Sequence, residues 1–144
     1  MTTASVTVPA LPDFVRAASQ FIVQTARHLG VAAATAPLFE VAVVEALANA
    51  VKHGSRGKTG ASISCEIERT DSGLTIRIYD EGEGFIPAAR PVPALDLSGV
   101  DVTAVPESGY GVPIMQTVFH DIQTGHRDGR FCLELKLASE LPLT

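Results

Sequence analysis

Two pairs of alternating segments, each closed by a glycine-bearing turn, constrain this chain more than any other feature. Ile63, Cys65 and Ile67 alternate with polar residues, as do Leu74, Ile76 and Ile78, and Asp71–Ser72–Gly73 joins the two runs. The second pair is Ile122–His126 and Phe131/Leu133/Leu135/Leu137, turning at Asp128–Gly129. Alternation with period two on both sides of a short turn predicts hairpins. Consecutive antiparallel strands with few helices between them predict an α+β two-layer sandwich: a mixed, mostly antiparallel sheet with helices on one face. A doubly wound parallel sheet would need a helix between most strands, and the pattern lacks them.

The other elements fit around this frame. Residues 5–8 alternate weakly and predict a short edge strand. A helix is predicted from Pro12–Asp13, with Phe14, Ala17, Ala18, Phe21, Ile22, Thr25 and Leu29 at helical spacing up to Gly30, a C-cap. Arg16, Gln20, Gln24 and Arg27 lie on its opposite, polar face. Pro37 suits a first helical turn, and a second helix is predicted from there to His53, ended by Gly54. Residues 54–60 form a polar turn. Periodicity stops after Gly84, and residues 85–108 hold Pro87, Pro91, Pro93 and Pro106, the pattern of a lid or binding loop. A helix is predicted from about Val112 to Asp121. No internal repeat appears, and one domain is expected over residues 1–144.

Composition bounds the functional classes. The chain has 144 residues, 46% of them hydrophobic and 19% charged, with a formal net charge of −5. That apolar content excludes a disordered chain, and the acidic balance argues against nucleic acid as the main partner. No run approaches the roughly 18 apolar residues of a membrane span, and the start lacks the basic and apolar regions of a secretory signal. A cytoplasmic setting is the expectation. Cys65 is read as a core residue and Cys132 as semi-exposed, without a disulfide framework; the histidines show no zinc-ligand spacing with them.

Three constellations carry chemistry. In the apolar helix 37–53, Glu45, Asn49 and His53 are spaced i, i+4, i+8 and share one stripe. Either the stripe is a solvated face with a histidine favouring the helix dipole, or it aims a carboxylate, an amide oxygen and an imidazole into a cleft. An amide oxygen suits Mg²⁺, and a carboxylate one turn away can accept a proton from an attacking hydroxyl. Asp80–Glu81–Gly82–Glu83–Gly84 comes second. Asp80 falls in register with Leu74, Ile76 and Ile78, an apolar face where a carboxylate needs a hydrogen-bond donor. A purine amino group is one such donor, with Phe85 against the ring; a simple strand-ending turn is the alternative. Ser108–Gly109–Tyr110–Gly111 opens the third predicted helix, where free N–H groups suit phosphate. Neither the Walker nor the Rossmann spacing is present.

The order E-x-x-x-N-x-x-x-H, D-x-G-x-G, lid, G-x-G into a helix resembles the N, G1 and G2 boxes of the ATP-binding family of gyrase, histidine kinases and MutL. The Bergerat-type ATP-binding fold is therefore implied. The segments VVEALANAVKHGS, DEGEGF and SGYGVPIMQTVFHDI are similar to those of the anti-sigma factor serine kinases of the RsbW and SpoIIAB type. The resemblance implies Glu45 as the base acting on the substrate hydroxyl and Asn49 as the Mg²⁺ ligand. It places His53 beside the phosphates and Asp80 on the adenine amino group, with Gly82, Gly84 and Phe85 shaping the pocket. Ser108, Gly109, Tyr110 and Gly111 would wrap the phosphates of ATP or ADP. Arg16 falls near the family's partner-contacting arginine.

The implied reaction moves the γ-phosphoryl of ATP to a Ser or Thr of a STAS-domain anti-sigma factor antagonist, releasing a homodimeric kinase for a sigma factor. An alternative is a nucleotide-dependent anti-sigma binding module with little turnover. Arg90 is the only basic residue in 85–108, which supports that alternative. The family's Gly-Thr step near the last strand is replaced by Gly129–Arg130–Phe131, leaving a threonine support for Asp80 unmatched.

Overall fold

In a computed structural model of the chain, residues 2–54, 60–82 and 111–138 are described. The elements are β1 (Thr2–Pro9), α1 (Val15–His28), α2 (Pro37–Gly54), β2 (Ser62–Thr70), β3 (Gly73–Asp80), α3 (Gly111–Val118), β4 (Asp121–Arg127) and β5 (Arg130–Ala138), with short 3-10 turns at Pro12–Phe14 and Ala32–Thr35. Both expected hairpins form. Asp128 and Gly129 take φ of 53° and 77°, the left-handed pair that a two-residue hairpin turn requires. This turn sets Arg127 opposite Arg130 and His126 opposite Phe131.

The sheet has the order β1-β2-β3-β5-β4, and all four pairings are antiparallel. The connection through α3 sets β4 at the outer edge, and the tight hairpin returns β5 beside β3. β1 is longer than residues 5–8, pairing from Thr2 opposite Arg69 to Pro9 opposite Ser62. Backbone hydrogen bonds extend it past the residues whose side chains alternate. α1 packs on β1 and β2; α2 lies over β2 and β3 between α1 and α3. This is the expected α+β two-layer arrangement.

The core lies between the layers. Ile63, Cys65 and Ile67 of β2, Leu74, Ile76 and Ile78 of β3, and Leu133 and Leu135 of β5 face Ile22, Phe39, Leu47, Ile114, Met115 and Phe119. Phe39 and Phe119 meet edge to face with centroids 6.0 Å apart, tying α2 to the end of α3. On α2, Phe39, Ala42, Val43, Ala46, Leu47, Ala50, Val51 and Gly54 are buried. Its alanines and terminal glycine let the helix backbone come close to the sheet.

Three local expectations change. On α1 the buried stripe is Ala18, Ser19, Ile22, Val23 and Ala26, whereas Phe14 is 37% exposed and Ala17 is exposed. The chain enters this helix through a 3-10 turn, and the buried face lies one position away from the expected stripe. Ser19 is tolerated inside because its hydroxyl donates to the Arg16 carbonyl (2.9 Å). α3 stops at Val118 rather than Asp121, because the His120 N–H already donates to the Lys136 carbonyl and starts the β4 ladder. Cys132, expected semi-exposed, is buried, opposite Tyr79 on the face away from the helices. Arg130 lies over the ring of Tyr79, the cross-strand neighbour of Cys132, at 4.6 Å. Cys65 is buried in the core as expected, and burial pushes its thiol up to about 12.

Candidate functional site

Asp80 is the last residue of β3 and, at 1% exposure, the most deeply buried charged side chain among the described residues. It faces the helices because strand alternation carries it there after Leu74, Ile76 and Ile78. Its Oδ1 accepts from the Gly82 N–H at 2.8 Å. The backbone N–H of Gly82 thus ties this buried carboxylate to the loop that follows β3. Burial pushes the Asp80 carboxyl above its ordinary value. The Gly82 N–H, His53 and His126 act against that shift, and Glu81 adds to it.

Two glycines lock this carboxylate to the end of α2. A Cβ on Gly54 would stand 2.6 Å from the Asp80 Cβ and 3.2 Å from Oδ1. A Cβ on Gly82 would collide with the His53 carbonyl oxygen and reach the Gly54 Cα at 2.8 Å. Only missing side chains permit the α2 terminus and the loop after β3 to touch in this way. Glu81 fastens the same loop to β2: its Oε2 accepts from the Ser62 N–H at 2.6 Å and from the Ser62 hydroxyl at 3.3 Å.

The stripe Glu45, Asn49 and His53 lies on α2, all three half-buried along the margin of its buried face. His53 is brought to Asp80, on which it acts electrostatically. Glu45 lies two turns and Asn49 one turn further up the same helix. Arg16 stands apart, exposed in the first turn of α1. Gly111 is the first residue of α3. Gly84, Phe85, Ser108, Gly109, Tyr110 and the expected lid at 85–108 lie outside the described residues.

Sequence reasoning missed four contributors. Gly54 was legible only as a helix terminator, and Glu81 only as a turn residue. Phe131, buried, is the cross-strand neighbour of Asp80, so an aromatic ring stands beside this carboxylate. His126 is the next neighbour in that row. Among the described residues no group of three His, Cys, Asp or Glu could hold a metal ion, and no helix is long and apolar enough to cross a membrane.

A buried carboxylate at a strand end, interlocked through glycines with a helix carrying a Glu-Asn-His stripe, defines a class of ATP-using domain. The chain belongs to the histidine kinase-like ATPase domain family, whose match spans residues 8–137. Membership implies nucleotide use. Among its relatives, the serine-protein kinase RsbW of Listeria monocytogenes (strain EGD-e) is 24% identical over 135 residues, covering 92% of this chain and 85% of that protein. The anti-sigma F factor of Clostridium botulinum (strain Eklund 17B) is 33% identical over 78 residues, 54% of this chain and 52% of that protein. The anti-sigma F factor of Clostridium acetobutylicum is 31% identical over 91 residues, 63% of this chain and 61% of that protein.

Proposed function

We propose that this chain is an ATP-dependent serine/threonine protein kinase of a partner-switching pair, phosphorylating a STAS-domain antagonist and alternatively holding a sigma factor. The observation that carries the reading is Asp80, a carboxylate buried at the end of β3 and held against the helix that bears Glu45, Asn49 and His53. The names of the relatives, a serine-protein kinase and two anti-sigma factors, support the same reading.

In this proposal Asp80 accepts a hydrogen bond from the adenine amino group, and Gly82 and Gly84 shape the pocket beside Phe85. Asn49 offers an amide oxygen on a half-buried helix face. A single neutral oxygen, with no carboxylate cage among the described residues, fits Mg²⁺, which keeps waters and binds largely through nucleotide phosphates. The ion would supply charge neutralisation on the phosphates when bound. Glu45 accepts the proton of the attacking Ser or Thr hydroxyl, and His53 stands toward the phosphates. Ser108, Gly109, Tyr110 and Gly111 receive the phosphates through N–H groups at the start of α3. Residues 1–144 act as one ATP-binding module with its lid at 85–108, in a cytoplasmic homodimer, with Arg16 in the partner-binding surface. A phosphate on the antagonist adds about −1.5 to −2 charges and weakens its grip on an acidic kinase.

The test is incubation of the chain with Mg²⁺, labelled ATP and a STAS-domain antagonist protein, followed by mapping of the phosphorylated residue. Glu45→Gln should abolish transfer while retaining nucleotide; full activity in that variant would remove Glu45 from its role. A second reading, a nucleotide-dependent binding module with little turnover, is favoured by the sparsely basic 85–108 segment, where Arg90 is the one Lys or Arg, and by the aromatic Phe131 opposite Asp80. It expects ATP-dependent partner binding without phosphoserine or phosphothreonine.

A further inference from the structure

Among the described residues β4 pairs with β5 on one side and with no strand on the other. Its sequence, Asp121–Arg127, contains neither proline nor lysine, the residues that commonly blunt a sheet edge. Gln123, Gly125, His126 and Arg127 are exposed, and a Cβ on Gly125 would meet open space. The hairpin decides which backbone groups this edge offers. With two turn residues of positive φ, Arg127 and Arg130 close the turn as a hydrogen-bonded pair. Alternation from Arg127 then aims the N–H and C=O of Gly125 and Gln123 at β5 as well. The N–H and C=O of Ile122, Thr124 and His126 point the other way, along the open edge.

These groups fit a second copy of the same strand. A two-fold axis perpendicular to the sheet at Thr124 sets Thr124 opposite Thr124, Ile122 opposite His126, Gln123 opposite Gly125 and Asp121 opposite Arg127. Every pair joins residues of one face, so the helix layers of both copies stay on the same side. Thr124–Thr124 and Ile122–His126 use the outward backbone groups and become the hydrogen-bonded pairs. Asp121–Arg127 and Gln123–Gly125 become the alternate pairs, whose Cα atoms stand about 4.5 Å apart and whose side chains come closest. Opposite charges directly across strands attract, and the axis makes that pair twice. The Gln123 side chain meets the open space at Gly125. Within its own chain Asp121 accepts from Gln123 at 3.0 Å, and Arg127, 53% exposed, has Glu134 at 3.5 Å; neither contact closes the side chain off from a partner. β1, the other edge, ends in Pro9 and carries no charged residue to fix a register.

We propose that β4 is a self-pairing edge, joining antiparallel to β4 of a second copy of this chain with Asp121 of each copy against Arg127 of the other. This inference rests on the homodimer reading and names the strand and the register that make the dimer. One sheet then runs through both copies, with the two Asp80 carboxylates on the same side of it. A seven-residue strand pair buries little area, so the dimer is a weak one that dissociates on dilution.

The experiment is sedimentation equilibrium of the full chain across the micromolar range, with amide hydrogen exchange followed by NMR at both ends of that range. As the dimer fills, exchange of the Ile122, Thr124 and His126 N–H groups should slow about 10-fold or more, whereas Gln123 and Gly125, bonded to β5, stay protected throughout. Asp121→Arg or Arg127→Asp alone should raise the dimer dissociation constant about 10-fold or more. Combining the two should bring it back toward the original, a rescue that a purely intrachain role for either residue does not give. Thr124→Pro should abolish the dimer and keep the hairpin, because the N–H it removes points outward. A melting temperature close to the original separates that result from misfolding, and the exchange arm needs no variant. A dimer that survives these substitutions, with the three amides exchanging freely, overturns this inference and leaves the homodimer reading standing. A chain that stays monomeric overturns both. Full protection of the three amides at the lowest concentration means that the chain covers its own edge, and also overturns the proposal.

Discussion

Replacing Asp80 by Asn should move affinity and stability in opposite directions. The side chains are nearly isosteric, and at 1% exposure there is no room for a different rotamer. The amide oxygen takes over the 2.8 Å bond from the Gly82 N–H, which places the NH₂ where Oδ2 stood. A donor then faces the ligand's donor. Losing a hydrogen bond to a charged acceptor costs about 1.5–3 kcal/mol, so the Kd for ATP should rise about 10- to 150-fold.

Stability responds with the other sign. Burial raises the Asp80 carboxyl above 3.8, so the folded state binds this proton more tightly than the unfolded state. The carboxylate's contribution is therefore favourable at low pH and is lost as pH rises through the folded value. Asn carries no such penalty. The variant should melt higher than the original protein at pH 7, and the gap should close as the pH falls toward 4. Calorimetry with ATP measures the first effect, and thermal melts from pH 4 to 8 measure the second. Unchanged ATP affinity, or a melting temperature lowered at every pH, would refute the assignment of Asp80 as a ligand-facing carboxylate.

Two further predictions concern the packing around the site. Gly82→Ala drives a methyl into the His53 carbonyl and the Gly54 Cα, backbone atoms that cannot swing aside. A loss of about 1–3 kcal/mol in urea unfolding, together with weaker ATP binding, is expected; neutral behaviour would show that the α2 terminus and the 80–82 loop are not interlocked. On the outer face of the sheet, Arg77 pairs with Glu66 at 2.8 Å, Glu134 at 2.9 Å and Glu68 at 3.3 Å. Burial pulls its pKa down, but the bonds to Glu134 and Glu66 outweigh that and hold the guanidinium charged. Arg77→Met leaves Glu134 with Arg127 at 3.5 Å and Lys136 at 3.7 Å only, and should destabilise the fold by about 1–3 kcal/mol in denaturant titration. Adding Glu134→Gln should return part of that loss, and a fully additive double variant would argue against the coupling.

Much of the architecture was legible from local pattern. The hairpin turn at Asp128–Gly129, the helix from Pro37 to Gly54 and the inward aim of Asp80 follow from φ preferences and side-chain periodicities of 2 and 3.6. Those rules act within a few residues and survive any change in the rest of the chain. The buried face of α1 was harder. An amphipathic stripe read from sequence can rotate by one position when the chain enters through a 3-10 turn, as it does before Val15.

The candidate site divides in the same way. Sequence alone placed Glu45, Asn49 and His53 on one stripe, because i, i+4 neighbours share a helix face wherever that helix goes. Only the tertiary structure set Gly54 against Asp80, Phe131 opposite Asp80, His126 at the end of their row, and Cys132 beneath the cover of its neighbours. The contacts of Asp80 with Gly54 and with Phe131 join segments more than twenty residues apart. Their register depends on burying the whole apolar face of the sheet at once, a condition that no local window contains.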